Sequence, residues 1–375
     1  MSRSLLCYGV FAVCLALLSR GRAEAQEEAG IGRAVTTLYT RTDSNSTTVW
    51  SPRTQVSARA SADATLEASY AVDAWTSASV DIVTAATRAV HEVRHEVNAG
   101  AAYVLGDTTL RAGYRYSREP DYWSNAALLG ATIDLAQRNT TLDVAIFGAL
   151  DTVGRAGDQL FREPQQSFGI RASLSQVLDR ETVIQLAWDA TEVLGYQASP
   201  YRHVAIGGAG TCASLAPLCV PEYVPDQRTR QALVVRGKRA LGANFSLGLQ
   251  YRFYFDNWGV LSHTLSPELS WLPREGATIA LSYRYYTQGK ADFYQERYLD
   301  AAAQAAYVTR DRELSKFLAH QIGLSYAQDL RSDGSRFVLS LALRAAYTYF
   351  NYLEFVGLTQ VSALELTGLV GLRLD

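Results

Sequence analysis

Phe245 to Asp256 reads FSLGLQYRFYFD. Phe245, Leu247, Leu249, Tyr251, Phe253 and Phe255 share one parity, and Ser246, Gly248, Gln250, Arg252, Tyr254 and Asp256 share the other. A strand turns successive side chains to opposite faces, so this period of two makes one apolar and one polar face, whereas a helix would scatter both sets around its axis. The run is about twice the ~5–6 residues usual for a strand in a soluble sheet, and it matches the ~9–11 residues a tilted strand needs to cross a hydrocarbon core. One face suits lipid and the other water, and the segment is predicted to be one stave of a transmembrane barrel.

Other segments repeat the pattern in their own registers. Ile279, Leu281, Tyr283 and Tyr285 alternate with Ala280, Ser282, Arg284 and Tyr286, and Leu339, Leu341, Leu343 and Tyr347 oppose Ser340, Ala342, Arg344 and Thr348. Leu142, Val144 and Ile146, and Ile184, Leu186 and Trp188, do the same. Tight joints are expected at 106–107, 137–139, 179–180, 242–243, 274–276 and 331–335, and longer ones at 76–90, 151–164, 194–228 and 289–316. Short periplasmic turns opposite long outer loops are the habit of bacterial outer-membrane barrels. With a first strand near Ala34 and a last ending near Leu374, the fold class is all-β: a transmembrane antiparallel up-and-down β-barrel of about 16 strands. Tyr114 and Tyr116, Phe253 and Phe255, Tyr283 and Tyr285, and Tyr347 and Tyr349 fall at outward strand ends, where an interfacial aromatic girdle belongs. A large soluble sandwich would have shorter strands and less asymmetric connections.

The chain has 375 residues and a formal net charge of −2, with no linker, charge block or low-complexity tract to divide it, so a single domain over 26–375 is expected after the leader. Without a basic tail, nucleic acid is a poor partner. Arg3, the apolar core Leu5 to Leu18 and Ala23-Glu24-Ala25 fit a secretory signal over 1–25, cleaved after Ala25. That core is shorter than a spanning helix, so membrane residence must come from strands. Of the four cysteines, Cys7 and Cys14 leave with the leader. Cys212 and Cys219 form a close pair that, in an exported protein, favours a disulfide over a metal site or a nucleophile.

His91-Glu92-Val93-Arg94-His95 matches H-E-x-x-H, which on a helix would hold zinc. The following Val97, Ala99, Ala101 and Tyr103 continue a period of two, and in a strand the two imidazoles stand ~13 Å apart at ~3.3 Å per residue, too far for one tetrahedral ion. No phosphate loop or nucleophile signature appears elsewhere, and neither metal nor organic cofactor is expected.

Charged residues gather on the polar parity, among them Arg94, Arg111, Arg115, Arg171, Arg236, Lys238, Arg252, Arg284 and Arg344, opposed by Asp73, Glu96, Asp143, Asp189, Asp256 and Glu365. On the lipid face each would cost ~2–4 kcal/mol near the midplane, so their common register marks this face as the lumen. A basic pore lining and a paired network that stiffens the wall remain equal readings of this set. The candidate lumen and mouth residues are Arg115, Arg202, Arg252, Asp256, Arg284, Asp292 and Arg344. The joints 194–228 and 289–316, the second with an Ala-rich helical stretch over Tyr298 to Tyr307, are long enough to be a constriction, a lid or a surface-binding element.

Unusual words flank the loops in a fixed order: Ser117-Arg118-Glu119-Pro120-Asp121-Tyr122, Ser199-Pro200-Tyr201-Arg202, Tyr251-Arg252-Phe253-Tyr254 with Asp256 and Trp258, and Arg284-Tyr285-Tyr286-Thr287-Gln288 followed by Ala291-Asp292-Phe293-Tyr294. In these the chain, from about Trp75 onward, resembles an uncharacterised bacterial family of outer-membrane barrels, a domain of unknown function. The resemblance implies a barrel in the outer membrane of a Gram-negative bacterium and supplies no activity to carry over. Many such barrels finish on an aromatic residue read by the barrel assembly machinery; this one finishes Arg373-Leu374-Asp375, a departure that bears on assembly.

The functional expectation is a channel or passive transporter for small polar or anionic solutes, not an enzyme. One alternative is a non-transporting barrel that binds a surface or envelope partner. Another is an outer-membrane hydrolase, for which His91, His95 and His263 are the plausible bases.

Overall fold

A computed structural model describes residues 31–77, 90–207, 212, 218–299, 306–331 and 334–374. The expected leader over 1–25, the side chain of His91 and most of the Ala-rich stretch between Tyr298 and Tyr307 lie outside the described residues.

Strands β1 (Gly32–Asp43), β2 (Thr47–Arg59), β3 (Ala64–Ser77), β4 (Val90–Leu105), β5 (Thr108–Glu119), β6 (Tyr122–Leu135), β7 (Thr140–Arg155), β8 (Asp158–Val177) and β9 (Thr182–Gly195) form the first half of the wall. After a short ribbon, β10 (His203–Ile206) with β11 (Leu218–Pro221), the wall resumes. It continues through β12 (Gln227–Leu241), β13 (Phe245–Asp256), β14 (Leu261–Arg274), β15 (Ala277–Gln288), β16 (Phe317–Arg331), β17 (Phe337–Tyr352) and β18 (Gln360–Leu374). Each wall strand pairs antiparallel with its neighbours, β9 with β12, and β1 closes on β18 from Gly32 opposite Leu374 to Asp43 opposite Ala363. The result is a closed barrel of 16 strands with no open sheet edge.

The opening stretch is β13 throughout, and its outward Leu247, Leu249 and Tyr251 are exposed while Tyr254 and Asp256 are buried. Exposed leucines such as Leu281, Leu324, Leu343 and Leu366 continue this apolar surface on other strands. That inversion, large apolar groups outside and polar groups enclosed, is what lipid solvation demands. Three outward histidines are joined to tyrosines of the preceding strand: Tyr70 to His95 (2.8 Å), Tyr251 to His263 (2.7 Å) and Tyr283 to His320 (2.6 Å). Each pair satisfies a ring nitrogen and a hydroxyl that would otherwise face the membrane boundary unpaired.

The longest joints, β3 to β4, β9 to β12 and β15 to β16, all emerge at one end, here the loop end; the termini of the wall lie at the other, the turn end. One expectation needs correction: 151–164 is not a long loop. Strands β7 and β8 run on to a two-residue turn, Ala156-Gly157, where Gly157 takes φ 82°. Alternation lapses there because the hairpin tip carries no uniform lipid face; Leu160 is 95% exposed, beside Arg162 and Glu163. Two more joints are tight, Pro120-Asp121 and 257–260. Prolines also leave local marks: the β2–β3 ladder skips Ser51 and Pro52, and the β14–β15 ladder skips Ser266 and Pro267, since proline has no N–H to donate.

On the inner wall Phe147 lies over Gly169, the residue it faces across β7 and β8. A Cβ at Gly169 would collide with that ring and stand 2.9 Å from the Ala190 carbonyl oxygen. Gly169→Ala is therefore expected to destabilise the barrel by about 1–3 kcal/mol, the usual cost of overpacking, read as a lower urea midpoint in lipid vesicles. An unchanged midpoint would show that the ring moves aside freely.

Candidate functional site

At the loop end two of the long connections, β9 to β12 and β15 to β16, do not stand clear of the barrel; they fold into it. Ala291, Tyr294 and Leu314 of the β15–β16 loop pack with Trp258, Phe355 and Leu358 against inward residues of the wall, Tyr254, Phe317, Ala319, Phe350, Tyr352 and Val361. Tyr294 is only 1% exposed and donates to the Glu354 carbonyl at 2.9 Å. Aromatic residues at the inner ends of β13, β15, β16 and β17 thus have a reason to face a lumen that is otherwise polar: they are the seat of a cap. A 3-10 turn of this loop, Arg312–Leu314, is capped by Asp311, whose carboxylate accepts the Glu313 amide at 2.9 Å. Gln288, at the end of β15, ties the turn down by donating to the carbonyls of Glu313 (2.7 Å) and Ser315 (2.8 Å).

The β9–β12 loop is the second half of the cap. Its ribbon carries the Cys212–Cys219 disulfide, with Cα atoms 5.9 Å apart. Val204 and Ile206 of the ribbon pack with Tyr298 and Val308 of the other loop, and backbone bridges join Ile206 to Tyr298 and Tyr223 to Val308. Glu222 is the latch between the halves. It accepts two bonds from Arg202 Nη1 (2.9 and 2.8 Å), one from the Ser199 amide (2.7 Å) and one from the Thr309 hydroxyl, while Arg202 also reaches Asp311 at 3.4 Å. Burial pushes the Tyr294 hydroxyl well above the ordinary tyrosine range and raises that of Tyr298 too, so both stay neutral donors. Tyr196 is pushed up to about 12, first by burial and then by the Glu222 charge. At the far side of the mouth the Tyr201 hydroxyl donates to Asp121 and accepts from the Ala156 amide at 2.6 Å.

Asp256 anchors the cap to the wall. Its Oδ2 accepts from Arg228 Nε (2.9 Å), Arg228 Nη2 (2.5 Å) and the Tyr254 hydroxyl (2.7 Å), and its Oδ1 accepts from the amides of Trp258 (3.0 Å) and Val260 (2.9 Å). Arg228 also lies 4.2 Å from the centroid of the Trp258 ring, and the Trp258 indole donates to the Gln227 carbonyl.

Below the cap the charged lumen is divided. From β2 to β9 arginines meet carboxylates: Arg53 with Glu96 (3.0 Å), Arg94 with Asp73, Arg111 with Asp143 (2.6 Å) and Arg171 with Asp189 (2.5 Å). From β12 to β17, below the Arg228–Asp256 pair, arginines also meet neutral acceptors and rings. Arg236 donates to Gln250 (2.6 Å) and Gln185 (2.9 Å), and Arg344 donates to Gln321 (3.3 Å). Arg252 lies over the Tyr254 ring at 5.5 Å and Arg284 over Tyr286 at 5.4 Å. Arg284 points into the lumen from β15.

The family model described as "Protein of unknown function (DUF3570)" matches residues 86–164 and 156–349, well over half of the chain. The chain belongs to this family. Among solved structures the DUF3570 barrel is similar to a "Bacterial polysaccharide outer membrane secretin", with a TM-score of 0.56 at 9% identity, covering 93% of this chain and 100% of that one. At that identity the likeness establishes the fold alone, that of an outer-membrane β-barrel. The OprD protein of Pseudomonas aeruginosa (TM-score 0.45, 9% identity, 92% of this chain and 97% of that one) and its siderophore receptor PirA (0.45, 11%, 92% and 62%) are more distant and carry no argument. No curated protein sequence matches the chain.

In this DUF3570 barrel the residues singled out from sequence fall into distinct settings. Arg202 is in the latch and Asp256 in the anchor. Asp292 is exposed on the cap, with its amide bonded to the Trp258 carbonyl at 2.8 Å and its carboxylate against Gly259, whose φ of 84° leaves no place for a side chain. Arg115, Arg252 and Arg344 are half-buried on the inner wall, Arg115 within electrostatic reach of Glu96. Glu92 to His95 lie in β4, so the H-E-x-x-H word is extended and its His95 turns outward to Tyr70. Sequence reasoning missed the latch residue Glu222, the Thr309 hydroxyl and a carboxylate cluster, Glu92, Glu119 and Asp121, whose oxygens lie within 4.8 Å of one another. The Arg-Glu-Pro-Asp word held part of that cluster, but only the β4–β5 pairing brings Glu92 to it.

Proposed function

We propose that this barrel is an outer-membrane channel, a passive route for small polar solutes with a preference for anions. The observation that supports it best is the set of inward arginines below the cap, of which Arg236 and Arg344 donate to amide oxygens of Gln185, Gln250 and Gln321. A cation held this way keeps its field available to a passing solute, whereas the salt-bridged arginines of the opposite wall are neutralised. The cap makes the entry narrow, so the solutes are small. Export through a leader over 1–25, an oxidising compartment for the disulfide and insertion by the barrel assembly machinery belong to the same reading.

Proteoliposomes of the full chain are expected to swell in an isosmotic small sugar and to discriminate strongly against a tetrasaccharide. Equal rates for both, or none for either in vesicles shown to carry folded barrel, would count against the proposal. The interlocked, disulfide-closed cap favours a second reading, a barrel whose loops bind an envelope partner. On that reading the vesicles stay closed to both sugars. The hydrolase alternative loses support, because His95 and His263 are engaged with tyrosines on the outward face.

A further inference from the structure

We infer that the outward face from β4 to β8 holds, at the loop end, a binding site for the phosphate headgroup of an acidic lipid, formed by His95, Arg118 and Arg162 around Trp123. The inference needs only the outer-membrane barrel, so a barrel that conducts nothing leaves it standing.

Strand register and one ring contact bring these groups together. His95 on β4 faces Arg118 on β5, and Arg118 faces Trp123 on β6, so neighbours in this row stand ~4.5–5.5 Å apart at their Cα atoms. The Arg162 guanidinium, from β8, lies 5.3 Å from the centroid of the Trp123 ring. Trp123 thus joins the two arginines, one opposite it in the ladder and one over its ring. His95, Arg118 and Arg162 are exposed, and Trp123 is half-buried. Tyr70 occupies His95 Nδ1 at 2.8 Å, and a neutral imidazole whose Nδ1 accepts carries its proton on Nε2, as a donor for a further acceptor.

The parity of these residues is that of the lipid face, not of the lumen. One row toward the turn end Tyr70 faces Val97 and Val97 faces Tyr116, all exposed, and exposed Leu150 and Phe168 continue the apolar surface across β7 and β8. The patch therefore sits where the apolar wall meets the headgroups, the level of a lipid phosphate. Among the described residues neither arginine has a carboxylate partner; Arg162 donates to the Gln159 carbonyl at 3.3 Å. The carboxylate of this parity on β4 to β8 is Asp158 at the hairpin tip, and it pairs with Arg155 at 3.6 Å. An arginine at the edge of hydrocarbon extends its charge toward the headgroups, and its planar fork matches two phosphate oxygens at once. The His95 Nε2 proton adds a third donor, and the Trp123 ring is of the kind that settles at this boundary. Arg118 of the Ser117-to-Tyr122 word thereby acquires a role that the lumen does not supply.

Native mass spectrometry of the detergent-solubilised full chain, titrated with phosphatidic acid or with phosphatidylcholine, tests the site. The wild type is expected to hold one phosphatidic acid about five-fold or more tighter than phosphatidylcholine, the gain of about one arginine at a lipid surface. In Arg118→Gln with Arg162→Gln the two affinities should converge, and in Arg162→Gln alone the preference should fall in part. Heat-modifiable gel mobility verifies folding, and the single variant decides if the double one does not fold. Equal affinities in the wild type, or an unchanged preference in a folded variant, would overturn the inference. Arg239→Gln, at the exposed turn end of β12, should keep the preference; a loss there equal to that of the double variant would reduce the effect to net charge and overturn the site. Displacement of phosphatidic acid by an equal concentration of inorganic phosphate would assign the groups to free phosphate and overturn the lipid.

Discussion

Replacing Glu222 with alanine is expected to unlatch the cap and raise the single-channel conductance several-fold. Glu222 is 6% exposed and Arg202 5%, so the pair is buried, and removing one partner of a buried, hydrogen-bonded ion pair costs about 3–5 kcal/mol, less here because Arg202 keeps Asp311 at 3.4 Å. Thr309, fully buried, loses its acceptor in the same step. Every member of the latch, Arg202, Glu222, Thr309 and Asp311, lies in a loop, and none lies in a wall strand. The cost therefore falls on the cap, and the 16 strands keep their ladder. Glu222→Gln keeps one oxygen acceptor and should give a smaller increase. Limited proteolysis within 196–226 should quicken in the same order. Unchanged conductance in a variant whose loops have become protease-sensitive would mean that the cap does not restrict the path.

Asp256→Ala carries the largest expected loss of stability. Its carboxylate accepts five hydrogen bonds, two from Arg228, and its side chain is fully buried. Alanine takes the carboxylate from the Arg228 guanidinium and strips two amides of the β13–β14 turn of their acceptor, a loss of about 3–5 kcal/mol. The temperature at which the barrel loses its compact gel mobility should fall clearly, and Asp256→Asn, which keeps the shape and half of the acceptors, should fall less. Wild-type stability in Asp256→Ala would remove this residue from the anchor.

Much of the wall is legible in the chain because lipid imposes a rule on every second residue. Leu247, Leu281 and Leu343 announce their strands without help from any distant residue, and the same parity separates Arg252, Arg284 and Arg344 from them. The hairpin tip at 151–164 is not legible, because strands that run past the bilayer escape the rule and read as loop. Nor is the division of the lumen. Whether an arginine meets a carboxylate or an amide depends on which residue the next strand sets beside it, as Arg111 meets Asp143 from a strand further along and Arg236 meets Gln185 and Gln250. The cap is the least legible part. Tyr294 and Trp258 stand in the sequence only as members of loop-flanking words, and their packing with Tyr254, Phe317, Phe350 and Tyr352 reveals that they face inward.

The central claim, that this barrel is an anion-preferring channel narrowed by its own loops, is tested most directly by single-channel recording of the full chain in a planar bilayer across a KCl gradient. The account predicts discrete small openings with a reversal potential on the chloride side, enlarged in Glu222→Ala without loss of that sign. A bilayer that stays closed after confirmed insertion, or openings that select potassium, would contradict it.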